Sequence, residues 1–374
     1  MLSYRDNLAK IGITPGTGPV SYRGFVSRPR DEAGVGSLRD AIKSMSAPHG
    51  AIGDNWLDTD WRSMPIEGGA IDFTGKQGEV TWTEQCQGVA IDAENGLWFY
   101  TSNGPRNVSP WKSASKCLVV FRAGSEAKDA NILCRLDFST FVPYLDHIGQ
   151  LTFYQPDGCL YVSHFTGNAA QVIKLKYHPE MASFELLGII SLEQPTSPTD
   201  GATGRAEFQA INPWDGMIYT CLSFGTIYEF FIHYREDTPN GHKAGECVRN
   251  PDGSLRTLKL KNWNMAGVQG GCFSPNGHFY VSTNVHPPDV DIQAIFYCSP
   301  LNGYIFGYIP VNADLENNDQ ELEGICYADY TWQGWTDLPG KAIYAVVLCN
   351  QDAALDNVLL FTYYSITPTT KDTV

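Results

Sequence analysis

The stretch Gln269-Gly270-Gly271-Cys272-Phe273-Ser274-Pro275-Asn276-Gly277-His278-Phe279-Tyr280-Val281-Ser282 reads as a β-hairpin. Small and apolar residues run up to Asn276-Gly277, and a strand carrying two aromatics follows. Asn-Gly is a strong tight-turn signal because both residues accept the positive φ that a two-strand connection needs.

The same pattern occurs four more times. Gln87-Gly88-Val89-Ala90-Ile91-Asp92 leads through Asn95-Gly96 into Leu97–Ser102. Gln150–Tyr154 leads through Asp157-Gly158 into Leu160–Ser163, and Gln209–Pro213 leads through Asp215-Gly216 into Met217–Thr220. Glu323-Gly324-Ile325-Cys326-Tyr327 leads through a longer loop and Gly340 into Ala342–Val346. The openings at 87, 150, 209, 269 and 323 are 63, 59, 60 and 54 residues apart. Each hairpin is followed by a third apolar run: Leu118–Phe121, Val172–Leu175, Ile227–Ile232, Ile295–Tyr297 and Val358–Phe361. Outer strands are expected at Ile132–Leu136, Leu186–Ile190 and Leu258–Leu260.

This spacing fits a four-stranded blade with long loops; solenoid repeats are shorter, and a β-sandwich does not repeat one hairpin five times. The expected fold is therefore all-β, a β-propeller of five or alternatively six four-stranded blades. Pairing of N- and C-terminal strands would close the ring and remove an exposed sheet edge. Residues 84–374 carry the repeats. Residues 1–83 read as an irregular N-terminal segment, with a short helix at Ser37–Met45 capped by Ser37 and strands at Val20–Val26, Ala70–Phe73 and Glu79–Trp82. Either one such strand completes the last blade, giving five, or 18–83 forms a degenerate sixth.

Composition agrees with a turn-rich β protein: 36 Gly, 22 Pro and 12% aromatic residues among 374. The formal charge of −15 repels phosphate backbones and anionic lipid surfaces, which argues against nucleic-acid and membrane partners. No run of about 18 apolar residues occurs, and the first residues lack the charged and apolar regions of a secretory signal; the expected location is cytoplasmic. The ten cysteines show no metal-type spacing and read as buried free thiols, with disulfides of an exported form as the alternative.

The first strand of a blade lines the central channel, so equivalent openings should form a ring. Gln87, Gln150, Gln209, Gln269 and Glu323 are the candidates: four amides and a carboxylate able to bind a small polar ligand or a hard cation such as calcium. His147, beside Asp146, is a candidate general base at the channel mouth, with His164 nearby and Glu207 and Glu321 as further acids of the rim. Glu323 is the candidate acid or metal ligand; in an apolar channel its carboxyl would titrate high. No GxSxG, HExxH or phosphate-binding glycine motif is present.

The segments QGVAID (87–92), HIGQL (147–151), NPWDG (212–216), QGGCFSPNG (269–277) and ELEGI (321–325) resemble a group of bacterial and fungal β-propeller proteins of unassigned function. The resemblance spans about 84–364. More distantly the chain is similar to the NHL, gluconolactonase-like and phytase-like propellers. The gluconolactonase-like resemblance implies a divalent metal held by a Glu before a Gly, two Asn and an Asp. Glu323 before Gly324 matches that Glu, whereas Gln269-Gly270 stands for an Asn-Gly, and Thr283-Asn284 for an Asp. Three functions are consistent with this reading: a module binding a ligand or a protein partner through the mouth and loop faces, an enzyme (hydrolase, lyase or isomerase) acting in the channel, or a lectin. The nine Trp do not repeat blade by blade as a multivalent lectin would require.

Overall fold

The computed structural model describes residues 61–65, 85–103, 116–122, 131–141, 147–166, 169–195, 206–224, 227–260, 268–274, 277–285, 292–300, 303, 305–310, 320–329, 341–349 and 357–365. The expected helix at Ser37–Met45 and the strands at Val20–Val26, Ala70–Phe73 and Glu79–Trp82 lie outside them.

The described residues form an all-β, propeller-like ring. They make five four-stranded sheets. The first contains β1 (Trp61–Pro65), β20 (Asn357–Ser365), β19 (Lys341–Cys349) and β18 (Gln320–Asp329), in that order. The other four follow the chain: β2 (Cys86–Asp92), β3 (Leu97–Ser102), β4 (Cys117–Arg122) and β5 (Cys134–Asp137); β6 (His147–Tyr154), β7 (Cys159–Thr166), β8 (Ala169–His178) and β9 (Ser183–Ser191); β10 (Ala206–Ile211), β11 (Ile218–Phe224), β12 (Ile227–His233) and β13 (Thr257–Lys259); β14 (Val268–Phe273), β15 (Phe279–Val285), β16 (Ile292–Cys298) and β17 (Ile305–Pro310). Every pairing is antiparallel. The innermost strands adjoin one another in the cyclic order β2, β6, β10, β14, β18 and back to β2.

The turn chemistry explains the hairpins. Gly96, Gly158, Gly216 and Gly277 have φ of 66°, 66°, 69° and 79°, the left-handed region that glycine enters without a Cβ penalty. Between turns, both faces of each inner strand are covered by neighbouring sheets, and the apolar residues of these strands are buried there. The core lies in the seams. Ala90, Phe99, Leu118 and Phe138 pack on Ile148, Leu160, Val162 and Ile173; Phe208, Tyr219 and Phe230 pack on Val268, Phe279 and Phe296. Trp98 lies 5.6 Å from Tyr344 across the seam that joins the ends of the repeat array.

The ring is closed by β1, which pairs Trp61 with Ser365 through Pro65 with Phe361. This strand, WRSMP, is not among those expected from the sequence. Nine described cysteines are free, eight of them buried. Among the described residues no helix is long and apolar enough to cross a membrane.

Candidate functional site: the mouth of the ring

All five inner strands begin at one end of the ring, and β2, β6, β10 and β14 run to the Gly turns at the other. Each contains a register shift near its start: Cys86/Gly88, Ile148/Leu151, Ala206/Gln209, Val268/Gly270 and Leu322/Ile325. A bulge sets two residues against one and re-aims the side chains around it.

These bulges break the equivalence expected of the five openings. Gln87, Gln269 and Glu323 each precede a glycine, and Gly88 and Gly270 are the residues that resume pairing, with Thr101 and Ser282. Gln209 itself resumes pairing, with Thr220. Counting back from Leu151, which pairs with Val162, sets Gln150 opposite Ser163, whose hydroxyl donates to the Gln150 carbonyl at 3.0 Å. Gln150 and Gln209 therefore stand where the other sheets have glycine, and the five side chains do not form one ring.

Gln87 and Glu323 do converge. Gln87 Nε2 donates to Glu323 Oε1 at 3.3 Å, and Gln87 Oε1 lies 2.9 Å from His147 Nε2. Asn103 Nδ2 lies 3.0 Å from His147 Nδ1. Asn103 is itself fixed: its Oδ1 accepts from Ile148 N at 2.6 Å and its Nδ2 donates to Ile148 O at 2.9 Å. The same Asn103 nitrogen lies 3.2 Å from His147 Nε2, and Gln87, held by its bond to Glu323, turns its acceptor oxygen toward Nε2, the arrangement that suits a ring proton on Nε2. The chain Asn103–His147–Gln87–Glu323 thus links three sheets. Alongside it, Gln269 Nε2 donates to Glu321 Oε1 at 2.5 Å. Glu323 is 4% exposed, and its backbone oxygen accepts from Ser282 Oγ at 2.7 Å. Asp146 lies outside the described residues, and Asn103, not expected from the sequence, orients His147.

Gln150 runs across the centre of the ring. Its Nε2 donates to Gly271 O at 2.5 Å and Ile325 O at 2.7 Å, and its Oε1 accepts from Gly271 N at 2.7 Å. Space for it exists because its neighbours lack side chains: a Cβ on Gly88 would lie 2.8 Å from Gln150 Cα, and one on Gly270 would strike Gln150 Oε1. Gln150 is thus a cross-ring tie under the mouth. Gln209 turns into the seam, where Nε2 donates to Tyr161 O at 2.6 Å and Oε1 is buried without a protein partner.

His164 faces away from His147. It pairs with Ile148 while His147 pairs with Phe165, and adjacent register positions project to opposite faces. His164 is fully buried, neither ring nitrogen has a partner, and burial pushes the imidazole down to about 4.

The turn end carries a separate cluster. Arg235 NH1 donates to Asp157 Oδ2 and to Tyr161 OH, both at 2.6 Å, its Nε donates to Gly216 O at 3.2 Å, and its guanidinium lies 4.5 Å from the Tyr154 ring centre. Tyr161 OH also donates to Asp157 Oδ2, and the cluster joins two sheets.

Among the described residues no group of three or more His, Cys, Asp or Glu is placed to hold a metal ion. Of the positions matched to the set implied by the gluconolactonase-like resemblance, Glu323 is hydrogen-bonded to Gln87 and Gln269 to Glu321.

Comparison by sequence finds no matching protein family and no matching curated protein. Solved structures match at low similarity. An exo-β-1,3-galactanase from Clostridium thermocellum aligns at 10% identity and TM-score 0.47 over 80% of this chain and 61% of its own. A tail fiber of Staphylococcus aureus phage P68 aligns at 15% and 0.44, over 87% of this chain and 56% of its own. The periplasmic gluconolactonase of Pseudomonas aeruginosa aligns at 10% and 0.40, over 75% of this chain and 86% of its own. The chain thus spans little more than half the length of the phage protein. At this level of similarity none of these proteins bears on its activity, and the reading of function rests on the site itself.

Proposed function

We propose that the chain is a five-bladed β-propeller whose mouth binds a small polar ligand through Gln87, His147, Gln269, Glu321 and Glu323. The observation that carries this reading is the chain of hydrogen bonds from Asn103 through His147 and Gln87 to Glu323. It fixes an imidazole and a carboxylate from different blades at one end of the ring, above the Gln150 tie. The count of five is supported by contact between β18 and β2, the last and first inner strands of the repeat array.

Convergent polar groups of fixed orientation are what a binding site for a small polar molecule needs. The enzyme reading is weaker for a specific reason. Gln87 stands between His147 and Glu323, and an amide fixes orientation but does not relay protons as a directly paired imidazole and carboxylate would. Catalysis by Glu323 alone would require a substrate to reach it directly.

Thermal-shift titration tests the proposal with sugars, polyols, carboxylic acids, amines and calcium, on the wild type beside Glu323→Gln. A compound that stabilises the wild type and loses its effect in the variant supports the mouth as the site. Equal stabilisation of both proteins removes it.

A further inference from the structure

Three of the mouth residues are each followed by a glycine that faces Gln150. Gly88 follows Gln87, Gly270 follows Gln269, and Gly324 follows Glu323. A Cβ on Gly88 would lie 2.8 Å from Gln150 Cα, one on Gly324 would lie 3.2 Å from Gln150 Cγ, and one on Gly270 would strike Gln150 Oε1. The strands that carry Gln87, Gln269 and Glu323 therefore pack on a single residue. Gln150 is 1% exposed, and its amide bonds fall on Gly271 and Ile325, two residues after Gln269 and Glu323. His147 lies three residues before Gln150 on the same strand.

We infer that Gln150 is a positioning residue of the mouth, the hub that sets Gln87, Gln269 and Glu323 against their partners; this rests on the mouth being the binding site. The residues concerned sit at register shifts, at Cys86/Gly88, Val268/Gly270 and Leu322/Ile325. A bulge leaves its extra residue outside the ladder, so strand pairing alone does not fix where that residue stands. Bonds from outside the sheet do so. Gln150 supplies them to β14 and β18, and Ser282 Oγ supplies one more to Glu323 O at 2.7 Å. The effect reaches His147 through Gln87. Gln87 turns its oxygen toward His147 because its nitrogen donates to Glu323. A shift of the β18 bulge removes that acceptor and frees the Gln87 amide to rotate, which would present His147 Nε2 with a donor in place of an acceptor.

Long-range 1H–15N spectra of the histidine rings test this without a ligand, at about pH 8, above the ordinary imidazole value. The wild type is compared with Gln150→Met and Gln150→Glu. Methionine keeps the length of the side chain and removes all three hydrogen bonds. Glutamate keeps an acceptor for Gly271 N and removes the donor to Gly271 O and Ile325 O, and it serves where methionine does not fold. In the wild type His147 should show one tautomer, with its proton on Nε2. In the variants its two ring nitrogens should move toward averaged shifts, as a mixture of tautomers gives. His233, whose Nδ1 donates to Gly245 O in another sheet, should keep its wild-type pattern and so report that the fold is intact. A single Nε2 tautomer of His147 in a folded variant, with lowered stability as the only change, would overturn the positioning role. A mixture of tautomers already present in the wild type would overturn it too. Either failure leaves the ligand reading standing on its own titration, because no ligand enters this measurement.

Discussion

Acidification from pH 7 to pH 5 should weaken this fold through buried imidazoles. Burial pushes His164, His233 and His278 down to about 4, against an ordinary value near 6.5. The unfolded chain then binds protons that the folded chain refuses, so stability falls as pH drops below 6.5 and stops falling below about 4. Over the full interval each histidine accounts for about 3 kcal/mol, at 1.36 kcal/mol per pH unit. Between pH 7 and pH 5 the share is about 2 kcal/mol each, so the three together remove an amount comparable with the lower range of domain stability. Asp92 and Asp215, raised by burial, act with the opposite sign. The sharpest perturbation is His164→Leu. Neither nitrogen of His164 has a partner, so an apolar replacement leaves no group unsatisfied and should change stability at pH 7 by under about 1 kcal/mol. Urea unfolding at pH 7 and pH 5 reads the difference. The variant should lose about 2 kcal/mol less than the wild type on acidification. An identical loss in both proteins would refute the reasoning, because it would place the acid sensitivity elsewhere.

Other predictions concern the frame of the site. Gln150→Ala breaks three cross-ring hydrogen bonds and leaves Gly271 N without its acceptor; it should cost about 3–5 kcal/mol by urea denaturation, and a cost below about 1 kcal/mol would contradict the cross-ring tie. Gly270→Ala should destabilise by about 2–3 kcal/mol, and by less when combined with Gln150→Ala, since its nearest obstacle is the Gln150 oxygen; strict additivity in the double-mutant cycle would count against that contact. Arg235→Met should cost about 2–4 kcal/mol in thermal or urea unfolding, because Lys174, at 3.2 Å, becomes the one cation left to Asp157 among the described residues.

The hairpins were legible in the sequence because their determinants are local. Asn-Gly and Asp-Gly turns report positive φ directly, and all four such glycines have it. The third strands and three of the outer strands could be placed from apolar runs for the same reason. The closing strand β1 was not legible. Its sequence, WRSMP, lacks the alternation of a strand, and its partner Asn357–Ser365 lies at the far end of the chain. The site was legible in part. Gln87, His147 and Glu323 could be named from their place at the blade openings. The misplacement of Gln150 and Gln209 has a definite cause, for a bulge of one residue changes which side chain faces the axis while leaving the apolar pattern intact. A signal was present: Gln87 lies five residues before Asp92 at its turn, Gln150 four before Tyr154, and Gln209 three before Asn212. Asn103 could not be found by composition or spacing, because its role comes from its contact with Ile148 on the next blade.

The most direct measurement is hydrogen–deuterium exchange with and without a ligand found by thermal shift. The mouth reading predicts protection in peptides covering 86–88, 147–150 and 320–325, where the inner strands begin, and no change at the Gly96, Gly158 and Gly216 turns. Protection confined to those turns, or to the cluster around Arg235, would contradict it and place binding at the opposite end of the ring.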